Sequence, residues 1–290
     1  MQILGPTDLI ASYYTLTGAA PGQHPRFGFA ERVAAAAAAG FAAIGFQPAD
    51  YAMCRAAGLS DGDMQRILAD HGIRIAELEF LFDWAHGGER GAAARKLEDE
   101  FYRLADVFQS RHLNVGDLGL GGPLDPLPAV AERFAAVCDR AAQHGLQVAI
   151  EFLPWTPIPD AATAWAIART AGHVNGGLLV DAWHYFRGAA DPAVLRAIPA
   201  ERIIAVQLDD ADTMVVGDLA EDTCLRRRLP GDGSFDLVGF IRLLDAMGVQ
   251  TPLSVEILST DQWALPVHAA ARAAFDTTRA VLAEARGHAR

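Results

Sequence analysis

Eight apolar, strand-like runs alternate with eight helix-like segments from one end of the 290-residue chain to the other. That count and length predict a single parallel (β/α)8 barrel. A doubly wound sheet would use fewer strands and often carries a glycine fingerprint after its first one; no GxGxxG or GxxxxGK[ST] occurs. No low-complexity linker or shift in composition divides the chain, so one domain over residues 1–290 is expected.

The first strand is expected at Leu9–Thr15 and the first helix at Phe29–Ala39. That helix contains an alanine run that stops at Gly40, too short to span a bilayer, and it reads as a buried helix. Ala43–Phe46 supplies the second strand, and Ser60-Asp61-Gly62-Asp63 opens the helix Asp61–His71 with capping side chains. Strand three is expected at Arg74–Phe82 with the helix Ala92–Ser110 behind it. Strand four is His112–Val115, followed by the amphipathic helix Ala129–His144, which reads as an outer helix packing inward. In the second half, strands Gln147–Phe152, Gly177–Asp181, Ile203–Leu208 and Leu253–Leu258 alternate with helices Ala161–Ala171, Pro192–Ile198, Phe235–Met247 and Pro266–Ala285. Gly40, Gly72, Gly145, Gly172 and Gly248 follow helices, where a left-handed cap favours glycine. Either Ser234 or Asp236 starts the seventh helix.

Composition narrows the function. With 51% hydrophobic and 21% charged residues, the chain can bury a sizeable core. A formal net charge of −12 argues against a nucleic-acid surface, which needs basic residues to neutralise phosphates. Cys54, Cys138 and Cys224 show no paired spacing, so neither a disulfide framework nor a thiolate zinc site is expected. The N-terminal MQILGPTDLIAS lacks the charge and the apolar stretch of a leader, and no membrane partner is expected. A cytoplasmic protein is the expectation.

The chemistry is carried by four strand ends. VAIEF ends near Glu151, GLLVDAWH holds Asp181, IIAVQLDD holds Gln207 and PLSVEIL holds Glu256. One acid at a strand end is commonly a cap or a solvated group; four in successive units would converge at the C-terminal mouth of a barrel. Three carboxylates and one amide form a hard oxygen set, which favours Mn2+ or Mg2+ over zinc.

These residues resemble the xylose isomerase-like barrel superfamily of sugar phosphate isomerases and epimerases. The resemblance runs along the whole chain and is sharpest from Val148 to Ser259. It includes Asp181-Ala182-Trp183-His184, the loop Arg227-Arg228-Leu229-Pro230-Gly231-Asp232-Gly233, and Leu253-Ser254-Val255-Glu256-Ile257. It implies one divalent ion held by Glu151, Asp181, Gln207 and Glu256, with a metal-bound Glu151 or Glu256 as the base. Epimerases of this group usually carry His at the third place. Gln207 with the PGDG loop is more similar to 3-dehydroshikimate dehydratases, although Phe152-Leu153-Pro154-Trp155 departs from that branch.

His184 reads as a general acid or a polariser of a substrate oxygen. Of Arg226, Arg227 and Arg228, the last two are expected to hold substrate through bidentate geometry. Glu79, Asp83 and Trp84 read as rim or core, as do Phe82, Trp155 and Tyr185, while His24, His86, His112 and Asp117 fall on or beside loop positions. The expected function is a metal-dependent isomerase or epimerase of a small sugar, keto-sugar or cyclitol, working through α-proton abstraction and an enediolate. The alternative is a dehydratase of a 3-dehydroshikimate-like or keto-cyclitol substrate. An apurinic endonuclease would need further His and acidic ligands for zinc. Relatives in the resemblance often pair, so a homo-oligomer is compatible.

Overall fold

The apolar runs form eight strands, β1 Leu9–Ala11, β2 Ala43–Phe46, β3 Arg74–Leu81, β4 His112–Val115, β5 Gln147–Glu151, β6 Gly176–Asp181, β7 Ile203–Leu208 and β8 Leu253–Val255. In this computed structural model, which describes residues 4–287, they close in sequence order into a barrel. The pairings β1 with β2, β1 with β8, β3 with β4, β4 with β5 and β5 with β6 are all parallel. The first three and last three residues of the expected 1–290 domain lie outside the described residues. No described helix is long and apolar enough to cross a membrane.

The chain packs as two compact units. One comprises the residues up to Arg74 together with those from Gln207 on; the other is Ile75–Val206. In the first, the alanine-rich helix Phe29–Ala39 buries Ala35, Ala36 and Ala39, as small residues on a packed face should. Gly40 closes it at φ 111°, and a side chain there would meet the Phe275 ring, which packs edge-on against Phe41 at 5.2 Å. Arg32 and Asp50 form an ion pair buried in this unit.

In the second unit, Gly176 and Gly177 open β6. A Cβ on Gly176 would meet Cys138 Sγ at 2.8 Å and the Phe134 ring at 2.8 Å, so this close helix–strand approach requires glycine. Fully burying a ring such as Phe134 contributes roughly 1.5–3 kcal/mol. Burial pushes the Cys138 thiol up to about 12, which leaves it an inert core side chain.

Several boundaries differ from the sequence reading, mostly at strand ends. The first strand stops at Ala11, and Tyr13–Thr17 forms a helix closed by Gly18 in the left-handed conformation. The aromatic and β-branched residues there imitate a strand. β8 ends at Val255, so Glu256 lies one residue beyond it. Short helices at Pro48–Ala56, Ala182–Arg187, Leu219–Leu225 and Thr260–Ala264 carried too few turns for a periodic signal. Asp236, not Ser234, caps Leu237–Met247, accepting from the Gly239 amide at 2.8 Å. Ser60 and Asp63 make a complete capping box.

Candidate functional site

In the second unit, β5 ends on Glu151 and β6 on Asp181. Asp181 is also the N-cap of Ala182–Arg187, its Oδ1 accepting from the His184 amide at 2.8 Å. The Asp-x-x-His element is therefore a helix cap: the three-residue spacing is the one that lets a carboxylate meet the third amide of the turn. The cap brings the His184 ring back beside the strand ends. His184 Nε2 lies 3.1 Å from Glu151 Oε1 and 4.0 Å from Asp181 Oδ1. One ligating atom from each of Glu151, Asp181 and His184 falls within 4.8 Å of the others, and all three residues are buried.

Aromatic rings flank this cluster. Trp183 and Trp155 meet His184 edge-on with ring centroids at 5.3 and 5.5 Å, and the two tryptophans contact each other at 6.2 Å. Phe82 is exposed, Tyr185 packs edge-on against Phe186, and Trp84 is buried against Phe134. Glu79 is buried, and Asp83 pairs with Arg90 at 3.7 Å. His86 Nε2 lies 2.6 Å from Asp117 Oδ2, and His112 Nε2 lies 3.4 Å from Glu77 Oε2.

In the first unit, Gln207 belongs to β7 and is fully buried. Its Nε2 faces Ser12 Oγ at 3.5 Å, while its Oε1 is buried with no hydrogen-bond partner among the described residues. Glu256 is nearly buried and held at both oxygens: Oε1 accepts from Ser12 Oγ at 2.9 Å, and Oε2 lies 3.0 Å from Arg227 Nη1. Arg227 is itself buried; it pairs with Asp209 and donates through Nη2 to Thr223 Oγ1 at 2.9 Å. Arg228, by contrast, is exposed, on Asp212 at 2.8 Å and near Asp261 at 3.7 Å. Arg226 pairs with Glu221 at 3.2 Å.

The PGDG loop is tied down by a residue the sequence reading did not single out. Asp210 accepts from the amides of Gly231 at 3.1 Å, Phe235 at 3.0 Å and Ala211 at 2.8 Å. Gly231 has φ 89°, and any side chain on Gly233 would clash with Asp210.

A buried amide oxygen without a partner costs roughly 1–3 kcal/mol, and a cation removes that cost. The Gln207 carbonyl and the Glu151, Asp181 and His184 cluster therefore each fit a bound divalent ion by the chemistry of their donors.

The family described as xylose isomerase-like TIM barrel matches residues 33–281. The chain belongs to that family. Within it, the chain is 31% identical to a 3-dehydroshikimate dehydratase of Pseudomonas aeruginosa over 72% of its own length and 33% of that protein. It is 26% identical to an inosose isomerase of Bacillus velezensis over 53% of its length and 55% of that protein. It thus spans about a third of the length of the Pseudomonas relative. Its fold is also that of the IOLI protein solved with a zinc atom, at a TM-score of 0.86 and 19% identity, covering 96% of this chain and 99% of that one. Relatives in this barrel family include both dehydratases and isomerases.

Ser12 and Asp209 complete the polar surroundings and were not singled out by sequence. Asp209 had a usable signal: it lies two residues past Gln207, and side chains two apart in an extended segment share a side. Ser12 had none, being one small hydroxyl after an apolar run.

Proposed function

We propose that this protein is a divalent-metal-dependent isomerase or epimerase that enolises a small polyhydroxylated ketone, with a keto-cyclitol as the leading class. The observation that carries the reading is the buried cluster of Glu151, Asp181 and His184 at the ends of β5 and β6. Two relatives named for a dehydroshikimate and an inosose support the substrate class, since both names denote six-membered carbocyclic ketones. The ligand set Glu151, Asp181, Gln207 and Glu256 is part of the proposal, supported by their places at or beside the ends of β5 to β8. So are the single domain over 1–290 and a cytoplasmic location, which suits the free cysteines.

A bound Mn2+ or Mg2+ would act as a Lewis acid, stabilising negative charge on the oxygens of the substrate. Glu151, Asp181, Gln207 and Glu256 would hold it. Glu151 takes the α-proton: its Oε1 neighbour is an imidazole able to accept and return protons. Glu256, held by Ser12 and Arg227, is assigned to holding and orienting. Arg227 steadies Glu256, and Arg228, whose exposed pair with Asp212 is weak, is the arginine able to turn to a substrate.

A second reading is favoured by one finding, the 31% identity with a dehydratase over most of this chain. In it, proton abstraction is the same, but a β-hydroxyl leaves as water after His184 protonates it.

The test has two arms. Calorimetric titration with Mn2+, Mg2+ and Zn2+ should show one tight site that weakens in Glu256→Gln; absence of binding together with no effect of Glu256→Gln would end the shared-site reading. Keto-sugars, inososes and dehydroshikimate are then followed in D2O by absorbance and by mass. Deuterium in recovered substrate or its isomer, with no new chromophore, marks isomerisation. A conjugated chromophore without exchange marks dehydration.

A further inference from the structure

We propose that Ser12 is a positioning residue that sets which atom of the Gln207 amide is offered as a ligand, and that it does so through Glu256. The proposal rests on the reading of Gln207 and Glu256 as ligands.

Ser12 follows β1, and its amide donates to the Val255 carbonyl at 3.0 Å, so its backbone is fixed by the β1–β8 edge. The residue is fully buried. A hydroxyl has one proton and two lone pairs. The Ser12 proton goes to Glu256 Oε1 at 2.9 Å, because an ionised carboxylate can only accept. A lone pair is then what Oγ offers to the Gln207 side chain at 3.5 Å. Only the NH2 end of an amide suits a lone pair; the flipped amide would set oxygen against oxygen. Gln207 must therefore turn Oε1 away from Ser12, and that oxygen is the one left buried without a partner among the described residues.

The consequence is chemical. An amide is ambiguous between donor and acceptor, and a buried site built on one needs something to choose. Here the choice descends from a carboxylate: the charge on Glu256 orients the hydroxyl, and the hydroxyl orients the amide. Gln207 and Glu256 are thereby set together as oxygen donors by a single hydroxyl that contacts both. Removing the hydroxyl releases both.

The experiment uses the full chain, stripped of metal and titrated with Mn2+ by calorimetry. Ser12→Ala should weaken Mn2+ binding by about 10–100-fold, the usual range for a lost partner behind a ligand. Ser12→Thr keeps the hydroxyl and should restore affinity to near that of the wild type. The visible spectrum of the Co2+ form should change in Ser12→Ala and return in Ser12→Thr. In a Gln207→Leu background, Ser12→Ala should cost clearly less than in the wild type, since one of its two clients is gone. Should the alanine variant fail to fold, Ser12→Cys, of similar size but a weak donor, is expected to lose affinity in its place. Wild-type Mn2+ affinity in Ser12→Ala or Ser12→Cys would overturn the role of Ser12 and leave the metal site standing. Equal losses in the alanine and threonine variants would also overturn it, because shape and not the hydroxyl would then matter. No binding by the wild type would overturn the metal reading, and this one with it.

Discussion

Two groups of buried polar side chains are built differently. Around Glu256, Ser12 and Arg227 hold the two carboxylate oxygens, and Arg227 also reaches Asp209 and Thr223. Around Glu151 and His184 the flanking groups include two indole rings, and the imidazole lies 3.1 Å from the carboxylate. The difference separates two tasks asked of a carboxylate. One held by an arginine and a hydroxyl is fixed in place and direction. One facing an imidazole between aromatic walls has a partner with which to exchange a proton. The first arrangement suits holding, and the second suits moving.

Glu151→Gln offers the largest test of that contrast. It should reduce turnover by about 10^4-fold, the upper end for a lost general base. Glu256→Gln should show first as weaker Mn2+ binding, with turnover recovering in part as metal is raised. Steady-state rates at graded Mn2+ separate the two. If excess metal rescued Glu151→Gln and not Glu256→Gln, the roles would be reversed.

Next in size is the stability held in the Arg227 cluster. Arg227→Met removes a buried cation and leaves Asp209 and Glu256 facing each other's charge, at a cost of roughly 3–5 kcal/mol. Arg228→Met, two-fifths exposed on its side chain, should cost less than about 1 kcal/mol. Urea midpoints measured without metal read both. Similar losses would mean that burial does not distinguish these neighbours.

Much of this arrangement was legible in the sequence, and the rest was hidden for physical reasons. β2, β4 and β7 lie at the expected residues; β2 and β7 are short, mostly apolar runs, which leave a buried strand little freedom. The barrel followed from the alternation of such runs with helices. The strand-end acids were visible because they interrupt apolar runs. What could not be read was which donor faces which acceptor. Arg226, Arg227 and Arg228 are one charge run in sequence, yet Arg227 is buried on Asp209 while its neighbours are partnered at the surface. A run of like residues carries no period that sorts them. The turn at Tyr13–Thr17, rich in β-branched and aromatic residues, mimicked a strand, and Ser12 vanished into it. The Asp-x-x-His element was visible as a motif, but its nature as a helix cap needed the backbone.

The smallest effect concerns a second buried histidine beside a glutamate, in the same unit as His184. His112 starts β4, with Glu77 directly across on β3, whereas His184 follows the C-terminal end of β6. Burial lowers the pKa of His112 from its ordinary value of 6.5, with Glu77 opposing that shift only in part. The sign follows from proton counting. Between the lowered value and 6.5 the unfolded chain binds a proton that the folded one does not, so stability rises with pH there. Its contribution is full above about 6.5 and is lost as pH falls below it, at no more than about 1.4 kcal/mol per pH unit. His112→Gln keeps an amide beside Glu77 but cannot titrate. Its urea midpoint should therefore fall less than that of the wild type between pH 7 and pH 5, while its Mn2+ affinity at pH 7.5 stays unchanged. Parallel slopes in the two proteins would mean that His112 titrates alike folded and unfolded. A loss of Mn2+ affinity would mean that the histidine at the start of a strand is not separable from the one past a strand's end, and the contrast between holding and moving would have to be redrawn around both.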